Sequence, residues 1–297
     1  MRKRQEILVL EPDIKDFWSA HPCGDNVFGA PDGDERQDYE EFFSRYDAAK
    51  YRLEHHIPAC LDRMDCAGRR LLEIGLGQGS EAEQLIRRGA RWTGVDLTET
   101  AVRRTGTRLA LRELPYDGLH QASVLELPFP DGSFDVVFSH GVLHHVPDIH
   151  RAQREIRRVL KPGGELVVML YARWSLNYLV SIGLLRRAAL LATRPLVRLG
   201  ALPAPQGLLG AHLDNARRIG LARYLRMPNF IHSNTDGPHN PFSRVYDVGR
   251  VRRDFPDFDV RHVEKHFLHA PPLPVHGRGS GKVMGWHLWV RMTPRAR

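Results

Sequence analysis

The 297-residue chain reads as an α/β protein, a doubly wound Rossmann-like sheet, mostly parallel, with an antiparallel C-terminal strand. Three observations predict this. Short apolar runs alternate with segments of 3.6-residue periodicity across residues 71–171, the pattern of βαβ units. A glycine-rich turn joins the first apolar run to the first well-marked helix. A closing pair of strand-like segments, 258–269 and 284–292, follows a long stretch with neither pattern. With 42% hydrophobic residues the chain can bury a core of this size.

Taken in order, residues 38–64 carry helical spacing (Phe42, Phe43, Tyr46, Ala49, Leu53) and form an N-terminal helical cap over 1–66. The core over 67–172 has strands at 71–74, 92–96, 119–125, 134–139 and 165–171, apolar enough to be covered on both faces. In the helix after the first strand, Ser80 and Glu83 make a capping box, Ala82, Leu85 and Ile86 share one face, and Gly89 ends it. Lys161-Pro162-Gly163-Gly164 is a turn feeding the fifth strand. Residues 173–256 are too long for an ordinary connection and are expected to form a substrate-recognition lid, because loops at the ligand end of a sheet vary while the scaffold stays. Residues 257–297 complete the sheet as a hairpin.

The charge of +8 and pI near 9.7 raise the question of nucleic acid. The arginines, however, fall in scattered pairs (Arg69/Arg70, Arg87/Arg88, Arg103/Arg104, Arg157/Arg158, Arg217/Arg218) that read as solvated helix faces, and no basic stripe or nucleic-acid partner is expected. Cys23, Cys60 and Cys66 are too few for a disulfide framework and lack zinc-site spacing. Met1 to Arg4 are basic, but the apolar run after them ends at Leu10, short of a secretion signal. The longest apolar stretch, 178–196, is broken by Arg186, Arg187 and Arg194, so no membrane span is expected and the cytoplasm is the simplest setting.

The chemistry begins at Leu71-Leu72-Glu73-Ile74-Gly75-Leu76-Gly77-Gln78-Gly79-Ser80. Glycines at this strand-to-helix turn let a ligand lie against backbone whose amide donors are free. The G-x-G-x-G spacing is tighter than the G-x-G-x-x-G of dinucleotide folds and favours S-adenosylmethionine (AdoMet) over NAD. Gly94-Val95-Asp96-Leu97 then ends the second strand with a carboxylate able to accept from both ribose hydroxyls; capping the next helix is the alternative use, for which Thr98 is better suited.

These residues, with 127–135 (Leu-Pro-Phe-Pro-Asp-Gly-Ser-Phe-Asp), Gly141-Val142-Leu143-His144-His145 and 158–164 (Arg-Val-Leu-Lys-Pro-Gly-Gly), resemble class I AdoMet-dependent methyltransferases of the ubiquinone and menaquinone biosynthesis type. Lys50 to Glu54 and Asp236 to Pro241 look like elements of a small-molecule subgroup. The resemblance implies that Glu73, Gly75, Leu76 and Gly77 surround the methionine moiety, Asp96 the ribose and Leu97 the adenine face, with Ser139 and His140 beside the sulfonium and Tyr51 closing over the methionine carboxylate. Where the family carries an acid after the third strand to receive the adenine amino group, this chain has Ser123, so adenine contacts are expected from Ser123 with the backbone of Val124 and Leu125.

Methyl transfer to a hydroxyl needs a proton acceptor. His140, His144 and His145 stand where the fourth strand meets its helix, and imidazole titrates near neutrality; structural hydrogen bonding at a helix start is the competing use. His232, His239 and Asp236 could instead reach in from the lid, against an ordinary polar turn at Thr235-Asp236-Gly237-Pro238. His262, Glu264 and His266 share a strand face, which suits surface polarity better than a metal; no metal is expected. In the lid, Leu176, Tyr178, Leu179, Leu184, Leu185, Leu190 and Leu191 alternate with arginines, an amphipathic pattern fitting a packed lid, a cover for a hydrophobic or aromatic acceptor, or a homodimer contact. The sequence thus predicts methyl transfer to an oxygen, nitrogen or carbon of a small organic acceptor, in specialised metabolism. An RNA methyltransferase and a non-catalytic AdoMet-binding protein are the alternatives.

Overall fold

A computed structural model describes residues 10–25, 29–31, 35–203, 206–275 and 281–296. The basic stretch Met1 to Arg4 lies outside them. Its centre is a seven-stranded sheet in the order β3-β2-β1-β4-β5-β7-β6. The strands are β1 (Arg70–Ile74), β2 (Arg91–Asp96), β3 (Gly118–Gln121), β4 (Phe134–His140), β5 (Leu160–Tyr171), β6 (Phe258–His266) and β7 (His287–Pro294). β1 to β5 pair in parallel, and β7 runs antiparallel to both β5 and β6. Because strand side chains alternate, Leu72, Val137 and Leu166 enter one core while Leu71, Phe138 and Val167 enter the other. Both faces are buried, which is why the strands read as continuous apolar runs.

Several boundaries differ from expectation, among them the closing strands, which are Phe258–His266 and His287–Pro294. β3 stops at Gln121, short of residue 125, because the Ser123 hydroxyl accepts from the Leu125 amide at 3.0 Å and bends the chain. β5 starts at Leu160, and Lys161 to Gly164 form an irregularity inside it between the pairs Phe134↔Leu160 and Val136↔Glu165. The capping box also fails. The helix α4 (Ser80–Arg87) has Gly79 as its N-cap and no side-chain cap; Ser80 donates to Asp47 at 2.9 Å, and Glu83 is drawn to Arg87 and Arg108. The cause is Arg108, fully buried on α5 (Glu99–Leu111) and in need of carboxylates. Thr98 caps α5, accepting from the Ala101 amide.

Before the core lie α1 (Glu11–Ala20), which the apolar spacing did not foretell, α2 (Arg36–Leu53) and α3 (His56–Leu61). Between β5 and β6, a π-helical segment Asn177–Arg186 runs into α7 (Arg187–Arg198), after α6 (Ile149–Val159) in the core; α8 (Gly207–Ile219) and shorter helices follow. These helices close a separate core of Ile182, Leu190, Leu213, Tyr224 and Phe230. Leu179, Leu184 and Leu191 face solvent. The amphipathic run therefore packs the lid onto itself, and it lends no support to a hydrophobic acceptor. None of the helices described is long and apolar enough to cross a membrane.

Candidate active site

The carboxyl edges of β1, β2 and β4 meet along the rim where the cofactor cavity is expected, and that rim is legible in burial. Gly75, Gly77, Asp96, Leu97, Ser123, Leu125 and His140 keep partial exposure amid buried neighbours. Two glycines explain the turn. Gly75 has φ +81°, and a Cβ there would lie 2.1 Å from Val142 Cγ2, so the loop after β4 closes directly on it. Gly77, at φ +53°, adopts a conformation that favours glycine, and a Cβ there would meet Cys23 at 3.5 Å.

Asp96 braces this turn. Its Oδ2 accepts from the Leu76 amide at 2.7 Å and its Oδ1 from the amide and hydroxyl of Thr98 at 2.8 and 2.9 Å. Burial raises its pKa. The Gly77 amide also bears on this carboxylate, so the whole turn is gathered on Asp96. Two more groups wait for partners: the Tyr51 hydroxyl and His140 Nε2 are buried without one. The left-handed glycines of the turn, the part-exposed Asp96 carboxylate and these orphaned atoms fit AdoMet.

Other expected cofactor residues are placed differently. Ser139 is 1% exposed and donates to the Ile74 carbonyl at 2.9 Å, tying β4 to β1 instead of facing the sulfonium. Glu73, equally buried, accepts from Trp92 Nε1 at 2.7 Å beneath the turn, and burial raises its pKa strongly. Leu76 and Val124 are buried and offer only backbone. Arg104 corrects the reading of the arginine pairs as solvated: it is buried and grips Asp25 at 2.6 and 2.9 Å.

The cap helices bring groups that the sequence reading did not single out as a site. Lys50 of α2 stands 2.7 Å from the Glu81 carboxylate at the start of α4. Four residues on, Glu54 converges with His140 and His287, one ligand atom of each lying within 4.8 Å of the others. Burial pushes Glu54 up to about 7 and His140 down to about 4. His287 is backed by His56, whose Nε2 is 3.1 Å from His287 Nδ1. The i, i+4 spacing of Lys50 and Glu54 was the available signal; His287, at a strand start 147 residues after His140, gave none.

The remaining histidines part company. His144 is fully buried, packed at a tilt against Tyr171 with ring centroids 3.8 Å apart, and neither of its nitrogens has a partner. His145 is tied by Nδ1 to the Phe242 carbonyl at 2.8 Å, while its Nε2 lies 3.1 Å from Asp236 Oδ2. Asp236 Oδ1 accepts from the Tyr171 hydroxyl at 2.7 Å. His232 corrects its expected role: its Nδ1 lies at the Ser243 backbone, within 3.0 Å, and its ring stacks on Phe242, so it staples a lid turn. His239 is exposed on the lid surface and is likewise not brought to the cavity.

Burial opposes the Asp236 charge, but His145 and the Tyr171 hydroxyl hold its pKa below the usual value. A depressed carboxylate stabilises the fold above its unfolded pKa, about 4, and the gain is lost as pH falls. Asp236→Asn is therefore expected to cost about 2 kcal/mol at pH 7. Thermal melts should also show the wild type losing more stability than the variant between pH 5 and 3; parallel losses would contradict the ion pair.

A sheet of this order, with a G-x-G-x-G turn after β1 and a carboxylate ending β2, defines a Rossmann-like AdoMet-dependent transferase. Residues 72–168 match the family model described as a methyltransferase domain. The chain is 38% identical over 104 residues to 27-O-demethylrifamycin SV methyltransferase of Amycolatopsis mediterranei, covering 34% of this chain and 38% of that enzyme. To an uncharacterized methyltransferase of Mycobacterium bovis it is 33% identical over 140 residues, 44% of this chain and 70% of the relative. To a ubiquinone biosynthesis O-methyltransferase of Dechloromonas aromatica it is 28% identical over 218 residues, 68% of this chain and 84% of that one. The match thus spans little more than a third of the rifamycin relative's length. Among solved structures, a SAM-dependent methyltransferase from Aquifex aeolicus superposes with a TM-score of 0.50 at 13% identity, covering 88% of this chain and 98% of that one. The chain belongs to the class I AdoMet-dependent methyltransferases.

Proposed function

We propose that this enzyme methylates a hydroxyl of a small organic acceptor in specialised-metabolite biosynthesis, with His140 taking the proton. The carrying observation is the convergence of His140, Glu54 and His287 at the cavity rim, with His140 Nε2 buried and unpartnered. Bound AdoMet supplies an electrophilic methyl carbon on its sulfonium. The protein's work is to align the acceptor in line with that carbon, exclude water and receive a proton. His140 Nε2 accepts the hydroxyl proton, and the Glu54 carboxylate steadies the resulting imidazolium. Trp18, edge-on to His145 at 5.2 Å, and the lid pair His145–Asp236 wall the cavity on the acceptor side. Two of the relatives bear the name ubiquinone biosynthesis O-methyltransferase, which supports oxygen as the target, against one named a sterol 24-C-methyltransferase.

The RNA alternative rested on basic charge, and much of that charge is used internally. Arg104 and Arg108 are buried in ion pairs, and Arg158 is shared between Glu155 and Asp131. The protein incubated with methyl-labelled AdoMet should label hydroxylated aromatic or quinol-type acceptors and not RNA. Label found only in RNA would overturn the reading.

A further inference from the structure

α1 is amphipathic, and its inward stripe is Ile14 and Phe17, both under 9% exposed. Glu11 lies on that same stripe, one turn before Ile14, and is half-buried while Pro12, Asp13, Lys15 and Asp16 are exposed. A carboxylate in such a place needs a reason. Capping is not the reason: Asp13 already accepts from the Leu10 amide at 2.8 Å. Ion pairing is not the reason either, since Glu11 forms no salt bridge among the described residues. Its partner is the Ser123 hydroxyl, which donates to Glu11 Oε2. Ser123 stands on the cavity rim just past β3, in the place where the resemblance expects an acid facing the adenine.

Nor is Glu11 on a loose end. After α1 the chain is fastened at the glycine turn, where Gln78 Nε2 donates to the Cys23 carbonyl at 2.7 Å, and at α5, where Arg104 grips Asp25. Trp18 meets His145 at the far side of the cavity. The helix therefore runs from Ser123, just past β3, to His145, just past β4, with Glu11 at the β3 end.

We propose that Glu11 is the acceptor for the exocyclic amino group of the adenine, delivered from α1 to the position where Ser123 has displaced the family's acid. This rests on the AdoMet reading of the cavity. Ser123 aims the carboxylate by donating to one oxygen, leaving the other for the N6 amino protons. A carboxylate can only accept, so it favours a 6-amino purine and repels a 6-oxo one.

The test is calorimetric titration with S-adenosylhomocysteine and its 6-oxo analogue, S-inosylhomocysteine. The wild type should prefer the amino ligand by about tenfold or more, the scale of one charge-assisted hydrogen bond. Glu11→Ala should remove that preference by weakening the amino ligand alone. Glu11→Gln, whose amide can also donate, should shift the preference toward the oxo ligand, and Ser123→Asp added to Glu11→Ala should restore it. Equal weakening of both ligands in Glu11→Ala, at unchanged melting temperature, would mean that Glu11 only supports α1 and would overturn the proposal. An unchanged ratio would overturn it too. A wild type that binds neither ligand would instead bring down the cofactor reading on which the proposal stands.

Discussion

Asp96→Asn is expected to weaken S-adenosylhomocysteine binding by about a hundredfold, the larger of the effects on the cofactor. Two contributions combine. The ribose hydroxyls lose a charged acceptor, worth about tenfold per bond. The turn loses its brace as well, because Asp96 receives the Leu76 amide on one oxygen and Thr98 on the other. An asparagine has one oxygen for those two sets of donors, so its NH2 must face an N–H. Pre-organisation of Gly77 over the ligand is then lost along with the contact. The contributions separate in Thr98→Ala, which removes one donor to Asp96 but leaves the carboxylate: affinity should fall by less than about fivefold there. Wild-type protein should show no binding of NAD. Retention of S-adenosylhomocysteine affinity by Asp96→Asn would mean that this carboxylate serves the turn alone.

What the sequence disclosed and what it withheld follow from how far apart the cooperating residues lie. The glycine turn, Asp96 and the β4 edge are local, because a strand, a turn and a helix start are encoded within a dozen positions and Asp96 reaches Leu76 across one βαβ unit. The mostly parallel sheet with its antiparallel C-terminal strand was legible in the same periodicity and closing hairpin. By contrast, the proposed proton-accepting group joins the end of α2, β4 and β7, and His287 is indistinguishable in sequence from any strand-end histidine. Ser139 and Glu73 were misplaced for a related reason. Motif position puts them at the ligand edge, but alternation along the strand turns their side chains down, toward the Ile74 carbonyl and Trp92. The capping box at Ser80 was sound local logic that lost to a buried arginine 28 residues away. Glu11 left no trace, since a single acid before an apolar pair reads as an ordinary helix start.

His140→Gln should lower kcat by two to four orders of magnitude while S-adenosylhomocysteine affinity stays within about threefold, the signature of lost general-base catalysis with the cofactor cradle intact. The pH dependence identifies the partner. Burial, eased by Glu81, pushes His140 down to about 4, so the imidazole is a free base across the neutral range and creates no step there. Glu54, pushed up to about 7 by burial, is neutral below that pH and charged above it. Only the charged form can steady an imidazolium formed at His140, so kcat/KM should rise with pH through about 7 in the wild type. Glu54→Gln should lower the plateau about tenfold and erase the step, because an amide contributes the same weak dipole at every pH. A neutral-pH step that survives in Glu54→Gln would assign it to another group, and His140→Gln with kcat near wild type would move the proton to the acceptor's own chemistry, as in methylation of carbon or an unprotonated nitrogen.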